Sequence, residues 1–221
     1  VTLALGAPAA AGAQDLGFNY LEGGFIGGFV NDVEESVTIA GNGSALEIET
    51  DAGGGGFVGG AWEFSENFHL FGEYSAAGQD LEISDGIDTV EGDFDVVRWR
   101  IGAGYAHPVS PTTRLYGRLS FDNAELKDVK VAGFNLDADV DDNGIGGEIG
   151  MIWAATPVIH LQGHVRYTSV GGVAAEVSDS FESDTLVGVN GRWYFRPDFA
   201  LVAGYEYGKI TMLNAGVRFS F

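Results

Sequence analysis

The stretch Thr211–Phe221, TMLNAGVRFSF, decides the fold. Thr211, Leu213, Ala215, Val217, Phe219 and Phe221 alternate with Met212, Asn214, Gly216, Arg218 and Ser220. Successive side chains of a strand point to opposite faces. One face of this segment is therefore apolar, and the other carries an amide, a guanidinium and a hydroxyl. A strand with one face for lipid and one for a polar lumen is the unit of a transmembrane β-barrel.

Reading the same alternation toward the N-terminus predicts an all-β chain of about ten antiparallel strands in an up-and-down barrel. They are expected near 18–31, 53–64, 67–79, 94–106, 113–123, 144–155, 157–169, 185–196, 199–208 and 209–221. If the first strand or the last hairpin, with only Gly208-Lys209 between its strands, is misread, the number becomes eight. A weak internal repeat supports the hairpin reading. FHLFG (68–72), TRLYG (113–117), IHLQG (159–163) and FALVA (199–203) recur at intervals of roughly forty to forty-six residues, a period that also suits propellers and solenoids. Each copy follows a short turn (65–67, the longer 107–111, 156–157 and 196–198) and precedes a long acidic segment. Short turns at one end and long loops at the other are what a transmembrane barrel shows.

Composition agrees. No run is apolar enough for a membrane helix, because a barrel hides its hydrophobicity by alternation. Expected lipid-facing residues are Val58, Trp62 and Phe64; Val97, Trp99, Ile101 and Tyr105; Ile145, Ile149, Met151 and Trp153; and Ile159, Leu161, Val165 and Tyr167. Aromatics fall at two levels. Phe64, Phe68, Tyr105, Trp153, Trp193, Phe195 and Phe199 lie by the short turns, with Phe29, Tyr74, Phe121, Tyr167, Tyr205 and Tyr207 toward the long loops. Amphipathic rings anchor at both membrane interfaces. A soluble sandwich or lipocalin-like barrel would instead turn its apolar residues inward. At the front, VTLALGAPAA (1–10) followed by Ala11-Gly12-Ala13 has the form of a signal peptide clipped at its start and its cleavage site. The expected domains are therefore a leader remnant at 1–13 and a barrel domain at 14–221. The 35 glycines show no collagen-like period; in strands they allow close backbone approach and curvature.

The net charge of −21 is uneven. Four acidic segments carry most of it, among them Asp32 to Asp51, Asp80 to Asp95, Asp122 to Asp142 and Glu176 to Asp184, opposed in the third only by Lys127 and Lys130. Such a surface repels nucleic acid and attracts cations. It reads either as a plain solvated surface or as loops that gather cations, or that reach lipopolysaccharide phosphates through divalent ions. On the predicted lumen face stand Arg98, Arg100, Arg118, Arg166, Arg192 and Arg218, with Glu22, Glu63, Glu73, Glu148 and Glu206, and with His160, Gln162 and His164 on the seventh strand. Confined charges must pair or stay hydrated. In a barrel of this size they either plug the interior or line a narrow pore.

Other motifs carry less. Asp137, Asp139, Asp141 and Asn143 alternate like calcium-loop ligands, but Gly150 stands where an EF-hand needs a bidentate Glu. A weak surface cation site is what remains. The glycine runs lack the GxxxxGK[ST] of a phosphate loop. No histidine lies in a long loop and no nucleophile–base set stands out, so no catalysis and no cofactor are expected.

In its opening FNYLEGGF (18–25), its repeated hairpins and its closing GVRFSF (216–221), the chain resembles small bacterial outer-membrane β-barrels of the OmpA-like membrane-domain and porin-like type. The resemblance covers nearly all of 14–221. It implies residence in the outer membrane with both termini periplasmic, contact with outer-membrane lipid and lipopolysaccharide, and insertion by the assembly machinery through the last strand. Two functions stay open: a narrow passive pore for small, preferentially cationic solutes, or a closed barrel that serves structure or adhesion through its acidic loops.

Overall fold

The computed structural model describes residues 16–30, 37–38, 45–50, 52–84, 89–131, 134–135, 140–170 and 183–221. Ten strands form the barrel: β1 (Tyr20–Val30), β4 (Gly53–Ser65), β5 (Phe68–Ser84), β6 (Thr89–Ser110), β7 (Thr113–Val131), β9 (Val140–Thr156), β10 (Ile159–Thr168), β11 (Asp184–Arg196), β12 (Phe199–Tyr207) and β13 (Ile210–Ser220). Three short pieces, β2 (Val37–Thr38), β3 (Ala45–Thr50) and β8 (Phe134–Asn135), pair beyond the barrel wall. Each barrel strand is antiparallel to its neighbours, and β1 pairs with both β4 and β13, which closes the ring. The closing seam runs from Tyr20↔Ser220 to Val30↔Ile210, with Glu22 opposite Arg218. Closure satisfies every ladder edge, the condition for a sheet in lipid. The stretch that decided the sequence reading is thus the strand that shuts the barrel.

The outer face is apolar. Ile145, Ile149, Ile101, Leu119 and Phe25 stand between 60% and 81% exposed, an arrangement that only a lipid surround makes favourable. Near the short turns the rings form a chain: Trp62 to Phe64 (6.4 Å), Phe64 to Phe68 (6.4 Å), Phe68 to Tyr105 (5.0 Å), and Phe195 to Phe199 to Phe219 (6.4 and 5.1 Å). Tyr74, Phe121, Tyr167, Tyr205 and Tyr207 are exposed at the other level. Val97 keeps the outward register but is buried at 8% exposure. The side chain of Phe29 lies outside the described residues.

Two expectations change. The segment 107–111 is no longer turn: β6 runs to Ser110, and only Pro111-Thr112 reverse the chain, as tightly as at the other hairpins. A register shift between Pro108 and Ser110 absorbs the proline, which has no N–H for the ladder. Similar shifts sit beside the other three short turns, and Asn67 takes a left-handed φ of 76° in the first. Much of the second and third acidic segments is strand rather than loop. The β5–β6, β6–β7 and β7–β9 ladders continue past the roughly 9–11 residues a membrane needs and raise a tall wall on one side. Opposite charges help to hold it: Lys130 bonds Asp93 at 2.7 Å across the β6–β7 pair, and Lys127 faces Asp95 in register.

Candidate functional site

The barrel interior is the place where charged side chains converge. It divides into a stopper at the short-turn end, an ionic girdle, and a vestibule toward the long walls.

The stopper comes from the residues before β1. The sequence reading began that strand at Phe18; the ladder begins at Tyr20, and Leu16 and Phe18 turn into the lumen instead. Phe18, 1% exposed, stacks on the His69 ring at 3.9 Å and meets Tyr116 edge-on at 5.5 Å. Leu16, Tyr20, Ala61, Phe71, Ala106 and Ile152 complete the cluster. Arg114 ties it down, donating to the Leu16 carbonyl (3.2 Å) while pairing with Glu63 (2.8 Å), and the Asn19 side chain accepts the Glu63 N–H.

The girdle follows. Arg100 forks onto Glu73 (2.8 and 2.9 Å) and reaches Glu148 at 2.8 Å. Arg118 lies 3.6 Å from Glu148 and 3.8 Å from Glu73, and donates to His69 Nε2 at 3.1 Å. It also reaches Tyr20 on β1, four strands away round the ring by the shorter path. The Arg118 and Tyr20 side chains, meeting at 3.5 Å, together cross the lumen. Tyr116 donates to Glu148 at 2.7 Å, Gln162 to Tyr116 at 2.6 Å, and Arg192 to Gln162. On the seam Arg218 bonds Glu22 at 2.7 Å with its guanidinium 3.6 Å over Tyr20. His160, 1% exposed, tilts against Tyr194. Toward the vestibule, Arg166 holds Glu206 at 2.9 Å, with His164 at 4.0 Å.

Glycines make this packing fit. A Cβ at Gly104 would lie 2.6 Å from the His69 ring and 2.8 Å from Arg118 Cγ, and one at Gly150 would lie 2.5 Å from the Tyr116 hydroxyl. Both glycines face inward, so each removes a side chain where a large neighbour must pass.

Among the residues expected to line the lumen, Glu22 meets Arg218, Glu73 and Glu148 meet Arg100 and Arg118, Glu63 meets Arg114, and Glu206 meets Arg166, each from another strand. The sequence reading did not assign Leu16, Phe18, Tyr116, Arg114 or Gln79 to the interior. It also grouped Asp122 with a loop, whereas β7 carries this residue into the barrel, 5% exposed. Strict alternation through 114, 116, 118, 120 and 122 was the available signal. Of the proposed cation ligands, Asp137 and Asp139 lie outside the described residues, and Asn143 bonds Asp141 (3.2 Å) and Asn123 (3.0 Å).

Neither a family model nor a curated protein sequence matches the chain. Solved structures do. The outer-membrane protein OprG from Pseudomonas aeruginosa aligns over 91% of this chain and 94% of its own, with a TM-score of 0.53 at 15% identity. The fold is that of a small outer-membrane β-barrel. The translocator domain of the autotransporter NalP from Neisseria meningitidis aligns over 95% of this outer-membrane-type barrel and 91% of its own chain, with a TM-score of 0.52 at 15% identity.

Proposed function

We propose that the protein resides in the outer membrane as a barrel whose lumen is closed at rest, with both termini periplasmic and the tall acidic wall facing outward from the cell. The observation that carries this reading is Arg118, which together with Tyr20 spans the lumen from β7 to β1 while paired with Glu148 and Glu73. The wall presents Glu91, Asp95, Asp128 and Asp141 to solvent; this suits display toward cations, including divalent ions that bridge to lipopolysaccharide phosphates. Insertion through β13 by the assembly machinery fits its place at the seam. No catalytic role is proposed.

A second reading, a gated narrow pore, is favoured by the stopper. Leu16 to Phe18 precede the first ladder and the Asn19 carbonyl that accepts the Phe221 N–H, so they can leave without breaking strand pairs. In planar bilayers the refolded chain is expected to give no stable conductance steps, whereas the Phe18→Ala, Arg118→Gln double variant gives small cation-preferring steps. Steady steps from the unaltered chain would overturn the closed reading; a silent but folded double variant would sink the gated one.

A further inference from the structure

His69 joins the stopper to the girdle. Its ring stacks on Phe18 at 3.9 Å, with 3° between the planes, and its Nε2 accepts the Arg118 Nε–H at 3.1 Å. A nitrogen that accepts keeps its lone pair, so this hydrogen bond requires a neutral ring with its proton on Nδ1. Nδ1 is buried with no partner among the described residues. The residue is 0% exposed, and behind it a Cβ at Gly104 would lie 2.6 Å from both Cε1 and Nε2. Phe18 is held in the same unit, with the Arg118 and Arg114 guanidiniums 5.0 and 5.8 Å from its ring centre.

A second proton on this ring has no place in the closed lumen. On Nε2 it would displace the Arg118 N–H and set two cations about 3.1 Å apart, away from water. Three guanidiniums oppose the charge: Arg114 and Arg118 on β7, and Arg100 on β6. Glu63 on β4, Glu73 on the same strand as His69, and Glu148 on β9 would favour it, but each is already held by one of those arginines. The hydroxyls of Tyr20 on β1 and Tyr116 on β7 are committed to Arg118 and Glu148. Arg118 cannot back away without leaving Glu148 and Glu73. Phe18 can move, because Leu16 to Phe18 precede the first ladder.

We propose that His69 is a proton-operated latch, and that acid at the short-turn end releases Leu16 and Phe18 from the lumen. The latch rests on the gated reading above. Its sign follows from counting protons. The closed state excludes a proton from Nε2, whereas a ring bared by the departure of Phe18 takes one up as an ordinary imidazole does, at about pH 6.5. The open state binds more protons, so falling pH favours it. One proton sets a ceiling of about tenfold in the open-to-closed ratio for each pH unit. Free glutamates titrate at about pH 4.3, so a response between about pH 6.5 and about pH 5 belongs to histidine.

Single-channel recording of the refolded full chain, stepped from about pH 7.5 to about pH 5, brackets that range. Silence at the upper limit is expected, then steps whose occupancy climbs by up to about tenfold per pH unit. His69→Gln, whose amide oxygen still accepts from Arg118, should stay silent throughout. His107→Gln, beside Tyr105 on the outer face, should respond as the unaltered chain does. NMR of the histidine-labelled chain, with the His69 signal assigned by elimination from His107→Gln, His160→Gln and His164→Gln, should show the ring gaining its proton in step with opening. The latch is overturned by opening that ignores pH, by an undiminished acid response in His69→Gln, or by a His69 ring that stays neutral while the channel opens. If His69→Gln does not fold, the NMR titration decides. An unaltered chain silent at every pH overturns the latch as well. The Phe18→Ala, Arg118→Gln variant then shows which reading has failed: steps from it leave the gate standing, and silence removes both.

Discussion

Glu148→Gln is expected to lower the free energy of unfolding by about 3–5 kcal/mol, the cost of stranding buried charge by removing one partner. Glu148 is 4% exposed and takes two donors, Arg100 at 2.8 Å and the Tyr116 hydroxyl at 2.7 Å, with the Arg118 guanidinium paired to it at 3.6 Å. Glutamine keeps the shape and can still accept from Tyr116, so the loss isolates the charge. Arg100 retains Glu73, but Arg118 is left with a 3.8 Å contact to a carboxylate it must share. Urea titration of the refolded barrel, followed by tryptophan fluorescence, measures the difference. A double cycle with Arg118→Met should recover much of the loss, because the second change removes the stranded cation. Additive losses in the cycle would show that the two groups do not act as a unit. Buried ion pairs are seldom the most stable solution to a packing problem; this one fills and crosses a lumen, which is consistent with a closing role.

The next residue shows the opposite logic. Ile149 is 69% exposed and points away from the barrel. On a soluble protein, Ile149→Arg would be neutral or helpful. In a bilayer it is expected to cost about 2–4 kcal/mol if the position lies near the midplane, and less toward an interface. The matched control is Ile149→Leu, expected to leave stability nearly unchanged. The same urea titration in lipid vesicles reads both. An arginine tolerated at 149 would place this face in water and remove the membrane reading.

The fold was legible because its two periods are simple. Alternation in 211–221 gave the last strand, and the same alternation put Arg98, Arg100, Arg118 and Glu148 on one face and Ile101, Ile145 and Ile149 on the other. What pattern could not give was pairing. That Arg118 meets Tyr20 depends on curvature and ring closure, which bring together residues 98 positions apart. The stopper was hidden for a related reason. Phe18 continues the alternation of β1, and nothing local says that the chain leaves the ladder one residue before Tyr20; the reason is the space beside His69 and Tyr116. The tall wall was missed because acidic residues resemble loop composition. Val90, Phe94, Val96 and Leu126 keep the strand period there, and the lysines at 127 and 130 meet aspartates in register.

Closure of the lumen is tested most directly by thiol accessibility, which the absence of native cysteine makes clean. Three small-to-small substitutions sample three compartments: Ala77→Cys in the vestibule, Ala61→Cys under the stopper, and Ala215→Cys on the outer face. In vesicles with the long walls outward, a membrane-impermeant thiol reagent added outside is expected to label position 77. It should leave positions 61 and 215 unmodified, while a lipophilic reagent reaches 215. Rapid labelling of position 61 by the impermeant reagent would contradict a lumen closed by the Arg118 girdle.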